Sequence, residues 1–175
     1  MRVCVFCGVR PGPAAPYRDA ARELGRALAA KGIGLVYGGA RVGLMGEVAD
    51  GALGEVIGVM PRYLQEYDIR HDGLSQLHIV DGMHERKAMM ADLSDAFVAL
   101  PGGIGTLEEF FEAWTWLRQG LHSKPCALLN VLGFYDGLLG YVDRAIADGF
   151  MGPGSLDNLI LATDAGELVD ALVAS

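Results

Sequence analysis

Ala96-Phe97-Val98-Ala99-Leu100-Pro101-Gly102-Gly103-Ile104-Gly105-Thr106-Leu107-Glu108-Glu109 is the stretch on which the reading of this chain turns. Five apolar residues read as a buried strand, and three glycines read as a tight loop. From Gly105 to Arg118, Leu107, Phe110, Phe111, Trp114 and Leu117 recur at helical spacing as one core-facing stripe. A strand that passes through glycines directly into a helix is the repeating unit of a parallel α/β fold. Outward from this unit the pattern repeats. Val3–Cys7, Ile33–Tyr37, Val56–Met60, Leu77–Val80 and Cys126–Leu129 read as strands. Helices are expected over Tyr17–Lys31, 43–53, Met83–Leu93, 135–148 and 164–173, with Asp81 as N-cap of the third. Continuous apolar strands alternating with helices predict a Rossmann-like parallel sheet covered on both faces, in a single domain over residues 1–175. The polar stretch Gln65–Gln76 is the one long irregular segment, a candidate substrate-covering loop.

Composition narrows the function. The chain has 175 residues, 25 of them glycine, and a formal net charge of −8. That charge argues against nucleic acid and against an anionic membrane, both of which demand a basic face. It leaves room for a small phosphorylated ligand, which needs only backbone amides and one or two cations. No apolar run approaches a membrane span. Met1–Cys7 lacks the regions of a signal peptide, and three cysteines fit a reducing compartment, so the cytoplasm is expected.

The loop before the 105–118 helix is a candidate anion site, because glycines admit a ligand to the backbone and a helix N-terminus offers free amides. Thr106 adds a hydroxyl. The spacing is neither a Walker loop nor a dinucleotide fingerprint. A turn whose glycines serve packing alone is the plainer alternative. On the helix, Glu109 and Glu112 fall opposite the apolar stripe, with Glu108 nearer its edge. Acids in a first turn complement the dipole by ~0.3–1 kcal/mol, which accounts for Glu108; Glu109 is also within reach of whatever the loop holds.

Met83-His84-Glu85-Arg86-Lys87 places two cations in the first turn of a predicted helix, where the dipole disfavours them; a local rule broken this way often marks a functional site. If the fourth and fifth strands are neighbours, this turn and the Pro101 loop border one crevice, and Arg86 and Glu109 meet across a ligand. Tyr37-Gly38-Gly39-Ala40-Arg41-Val42-Gly43 is a second strand–glycine loop–helix, a candidate for the sugar or base through Gly39 and Gly43. Cys4 and Cys7 stand three apart on a strand, face opposite ways, and read as core residues. His71, His78, His84 and His122 lack metal-ligand spacing, so no metal is expected.

Together Val5-Phe6-Cys7-Gly8, Tyr37-Gly38-Gly39, Gly43-Leu44-Met45-Gly46, Met83–Lys87 and Pro101–Glu109 resemble the Lonely Guy family over nearly the whole chain. These are cytokinin riboside 5′-monophosphate phosphoribohydrolases, often labelled possible lysine decarboxylases. The resemblance implies a Rossmann-like fold and a homodimer or larger assembly with sites near the subunit interface. It implies hydrolysis of a nucleoside 5′-monophosphate without metal or organic cofactor. Arg86 and Glu109 match the catalytic pair. Lys87, Gly102, Gly103, Gly105, Thr106 and Glu108 match ligand-binding positions, and Asp68 stands where a substrate-contacting glutamate is typical. A pyridoxal-phosphate lysine motif, which a decarboxylase of this class requires, is not found. The departures are Val9-Arg10 in place of serines, Ala40 in place of a third glycine, and Asp68 one methylene short of glutamate. The rival readings are a non-catalytic nucleotide or cofactor carrier, which would lack the acid or the arginine, and a nicotinamide-dependent dehydrogenase, which would carry a fingerprint at the first strand.

Overall fold

The computed structural model describes residues 1–67 and 69–175; Asp68 lies outside the described residues. The elements run β1 (Arg2–Phe6), α1 (Ala15–Ala30), β2 (Gly34–Tyr37), α2 (Gly43–Gly51), β3 (Val56–Pro61), β4 (Gln76–Val80), α3 (Met83–Asp92), β5 (Ala96–Ala99), α4 (Ile104–Arg118), β6 (Cys126–Leu129), α5 (Asp136–Ala147), β7 (Leu159–Ala162) and α6 (Ala165–Ala174). All strand pairs are parallel, in the order β4-β3-β2-β1-β5-β6-β7. The order reverses between β1 and β5. That is the switch point at which open α/β sheets bind ligands, outside the carboxyl ends of their strands.

Alternation along each strand builds two cores. Val3, Val5, Leu35, Tyr37, Val98 and Leu129 pack against α1, α2 and α6 through Leu24, Leu28, Val48 and Leu168. Cys4, Phe6, Val36, Val59, Phe97 and Leu128 pack against α3, α4 and α5 through Met90, Phe110, Trp114 and Val142. Cys4 and Cys7 accordingly enter opposite cores; both are buried free thiols, as is Cys126. The expected fold class is thus observed.

Several local expectations are corrected. The sheet has a seventh strand, β7, whose short Leu-Ile-Leu-Ala run lies at an edge and is only partly covered. The fourth and fifth strands are not neighbours: β4 is an edge strand and β5 pairs with β1. The crossover through α3 therefore runs from the sheet edge to its centre, and its first turns lie over β3, where Arg86 Nε donates to the Val59 carbonyl. The N-cap of α3 is Gly82 rather than Asp81. The Asp81 carboxylate instead accepts from Arg62 at 3.3 Å, and the Asp81 N–H donates to Glu85 at 2.9 Å. Part of the Gln65–Gln76 stretch is ordered into a 3-10 turn (Arg62–Tyr67) and an antiparallel bridge between Ala40 and Arg70. Among the described residues no helix is long and apolar enough to cross a membrane.

Candidate active site

Two glycine-containing loops meet at the switch point. The Gly8 N–H donates to the Pro101 carbonyl at 3.1 Å, and the Leu44 N–H donates to the Gly8 carbonyl at 3.0 Å. Gly43, at φ +59°, lies so close beneath that an added Cβ would stand 2.3 Å from the Val9 oxygen. Three segments of chain thus pin one another, and the β1–α1 loop becomes a rigid wall.

On the α3/α4 side of this wall is a chamber of about 430 Å³. Its lining includes Cys7, Gly8, Met45, Arg86, Glu109 and the first turn of α4 from Gly103 to Thr106. On the other side, sharing Gly8, Val9 and Gly103, is a more apolar chamber of about 520 Å³, walled by Pro11, Pro13, Tyr17, Leu44 and Phe134. The polar chemistry belongs to the first. There the N-terminus of α4 opens with Gly103 as N-cap and no side-chain cap among the described residues. α6 is different: the Asp164 carboxylate accepts the Glu167 N–H at 3.0 Å and closes that end. The α4 amides thus remain available to an anion. Thr106 is buried at its first turn, packed over Gly102, where an added Cβ would meet its Oγ1.

Glu109 lies on the flank of the buried face of α4 formed by Thr106, Phe110, Ala113 and Trp114, not opposite it. The apolar stripe drawn from sequence was rotated, because Leu107, Phe111 and Leu117 are only partly covered. Glu108 and Glu109 are also the fifth and sixth residues of α4, beyond the first turn, so the helix dipole does not explain them. Arg86 and Lys87 are likewise the fourth and fifth residues of α3.

Arg86 reaches Glu109 from α3 with Nη1 to Oε1 at 3.4 Å, the two side chains only 12% and 11% exposed. The guanidinium is held from behind: Nε donates to the Val59 carbonyl at 3.2 Å, and Nη1 approaches the Met83 sulfur at 3.7 Å. Gly38 supplies its socket, since an added Cβ would stand 2.4 Å from Nη2. Gly38 is the functional residue the sequence reading missed; only the doubled glycine hinted at it. Held this way, Arg86 neutralises Glu109 without the geometry of a hydrogen bond, and buried Oε1 has no hydrogen-bond partner among the described residues. Burial pushes the Glu109 carboxyl above the usual glutamate range; attraction by Arg86 opposes this, and Glu108 adds to it. Below it, burial first and the Glu109 charge second raise the Cys7 thiol, which stays protonated and is no nucleophile.

Gly39 is buried between β2 and β3 at φ +80°, and Gly43 forms the base of the wall; neither lines the α3/α4 chamber among its described residues. Lys87 and Glu108 engage each other. Among the described residues no three His, Cys, Asp or Glu side chains gather as a metal would require.

Comparison with known proteins accords with this geometry. A family profile described as "Possible lysine decarboxylase" matches residues 45–172. The cytokinin riboside 5′-monophosphate phosphoribohydrolase of Rhodococcoides fascians is 50% identical over 93% of this chain and 84% of its own. Its counterpart LOG from Oryza sativa subsp. japonica is 49% identical, over 96% and 71% respectively. The chain belongs to this phosphoribohydrolase family. Solved structures outside the named phosphoribohydrolases share the fold. TM1055 superimposes with a TM-score of 0.72 at 26% identity, covering 100% of this chain and 99% of its own. The molybdenum cofactor binding protein of Rippkaea orientalis gives 0.72 at 24%, covering 99% and 94%.

Proposed function

We propose that the protein hydrolyses the N-glycosidic bond of an adenosine 5′-monophosphate, with or without a substituent on N6, releasing the free base and ribose 5-phosphate. The observation that carries this is the Glu109 carboxylate: buried at the chamber, charge-balanced by Arg86 across 3.4 Å, and with no hydrogen bond to its Oε1 among the described residues. A carboxylate so placed serves an anomeric carbon that gains positive charge as the bond to the base breaks.

The 5′-phosphate lies against the amides of Gly103–Gly105 and the Thr106 hydroxyl, and Gly102 lets that hydroxyl pack close. The ribose then rests beside Glu109, about a turn further along α4. As C1′–N9 cleaves, Glu109 stabilises the oxocarbenium-like carbon and orients or deprotonates the water that adds to C1′. The electron pair of the broken bond leaves with the base, which takes up a proton. Arg86 acts as a fixed positive charge toward the departing base and not as the acid, the usual role of a guanidinium. The apolar wall of Met45, Leu64, Ile69 and Met83 accommodates the base.

The family likeness supports the cytokinin precursors among such nucleotides as substrates, and a reducing compartment such as the cytoplasm suits three buried free thiols. A homodimer is supported by apolar surface at both ends of α4, where Ile104 is 88% and Leu121 67% exposed. The test is paired measurement of turnover and nucleotide binding in Glu109→Gln. Lost turnover with AMP still bound is the expected result; near-normal turnover removes Glu109 from the mechanism.

A further inference from the structure

Lys87 is the neighbour of Arg86 on α3, and Glu108 the neighbour of Glu109 on α4. The two pairs are laced across the same helix–helix contact. Lys87 Nζ bonds the Glu108 carboxylate and also reaches Glu112 Oε2 at 3.1 Å, with its own side chain only 10% exposed. Glu108 and Glu112 are one turn apart on α4, so a cation between them grips the helix at two points. Among the described residues lining the chamber, Arg86, Glu108 and Glu109 are present and Lys87 is not. Glu108 thus stands at the chamber and Lys87 behind it.

α3 needs such a grip. It is the crossover between an edge strand and the sheet centre, and Met90 is its one fully buried residue among those described. Apolar packing alone fixes its rotation poorly, and a small rotation would change the Arg86–Glu109 spacing. We infer that Lys87 is a positioning residue: by clamping Glu108 and Glu112 it sets α3 against α4 and holds Arg86 at its distance from Glu109. The inference rests on the proposed role of Glu109, and it departs from the ligand-binding role that family resemblance implies for Lys87.

Charge accompanies position. The groups facing Glu109 are Arg86 and Lys87 from α3, Glu108 and Glu112 from its own helix, and the neutral thiols of Cys4 in β1 and Cys7 just after it. Burial alone would lower the Lys87 ammonium, but its hydrogen bonds to Glu108 and Glu112 outweigh this and hold it above its ordinary value. It is therefore a permanent positive charge that offsets two carboxylates beside the reacting one.

The experiment compares Lys87→Met, Lys87→Arg and Glu108→Gln/Glu112→Gln across pH, with AMP as substrate and Glu109→Gln measured alongside. Both clamp-breaking variants should lose about tenfold or more in kcat through misplacement of the pair, with KM changed by less than about threefold. Their acid limbs should move in opposite directions. Lys87→Met exposes Glu109 to two unbalanced carboxylates and shifts the limb to higher pH; Glu108→Gln/Glu112→Gln removes those charges and shifts it to lower pH. Lys87→Arg should restore most of kcat. The inference is overturned if Lys87→Met raises KM and keeps kcat, which would make Lys87 a substrate contact, or if neither limb moves. Should Lys87→Met not fold, the double glutamine variant and Lys87→Arg decide alone. Retained turnover in Glu109→Gln would instead refute the role of Glu109, so the two failures are distinguishable.

Discussion

Glu109 combines burial with an opposed charge 3.4 Å away, and its own charge and its burial each have a measurable consequence. Glu109→Gln keeps the shape of the side chain and removes its charge, so turnover should fall by at least ~10²-fold, the usual scale for a lost acid–base group. Activity needs the carboxylate, and burial raises its pKa. The acid limb of kcat/KM should therefore lie above the ordinary glutamate range, and a limb within that range contradicts the account. Linkage gives a second sign. An acid whose folded pKa exceeds its unfolded one contributes stability below the unfolded pKa and loses it as pH rises through the folded one. The uncharged glutamine escapes that loss, so Glu109→Gln should melt no lower than the parent at neutral pH. Gly38 offers an independent test. In Gly38→Ala the new methyl group meets the far end of Arg86 and, less closely, the Met45 sulfur, both flexible side chains, so melting should change little while turnover falls ~10²-fold through displacement of the guanidinium. Arg86 and Glu109 were legible in the sequence because charged residues beside a glycine loop and an apolar stripe stand out. Gly38 was not, because a socket is defined by what fills it, and Arg86 arrives from 48 residues away in the chain.

At the scale of elements, the open N-terminus of α4 and the wall beneath it form the half of the site proposed to bind the phosphate. The strand, glycine loop and helix of residues 96–118 could be read directly, because period and punctuation agree there. The face of α4 could not. Thr106 and Ala113 are small and carry no hydropathic signal strong enough to outweigh Leu107 and Phe111, yet they lie at the centre of the buried side. The same limit applied to α3, where Asp81 looked like a cap and the backbone instead turned at Gly82. Gly43 tests the wall. Gly43→Ala adds a methyl group against the Val9 carbonyl at a positive φ, and there only backbone can give way. It should cost ~1–3 kcal/mol in urea unfolding and weaken nucleotide binding, whereas Gly54→Ala, which meets nothing nearby, should do neither.

For the whole molecule, the sequence of alternating strands and helices announced a parallel sheet, but not which strands lie side by side. Adjacency depends on where each crossover lands, and the crossover through α3 delivers β5 to the centre of the sheet, not beside β4. The long crossing places β5 beside β1, so that α4, which follows β5, brings Glu109 to the Arg86 held over β3. β7 escaped notice because four residues at a half-covered edge do not differ in pattern from the loop before them. Burial of the two cores has a plain chemical readout. Cys4 and Cys7 are shielded by the sheet and its helices, and burial pushes the Cys126 thiol up to about 12, so an aromatic disulfide reagent should label none of the three until the protein is unfolded. The most direct test of the account is product analysis after incubation of the protein with AMP and with N6-isopentenyladenosine monophosphate. Free base and ribose 5-phosphate in equal amounts from at least one of them is the predicted result. Recovery of both nucleotides intact, with binding but no cleavage, would contradict the account and make the protein a nucleotide carrier.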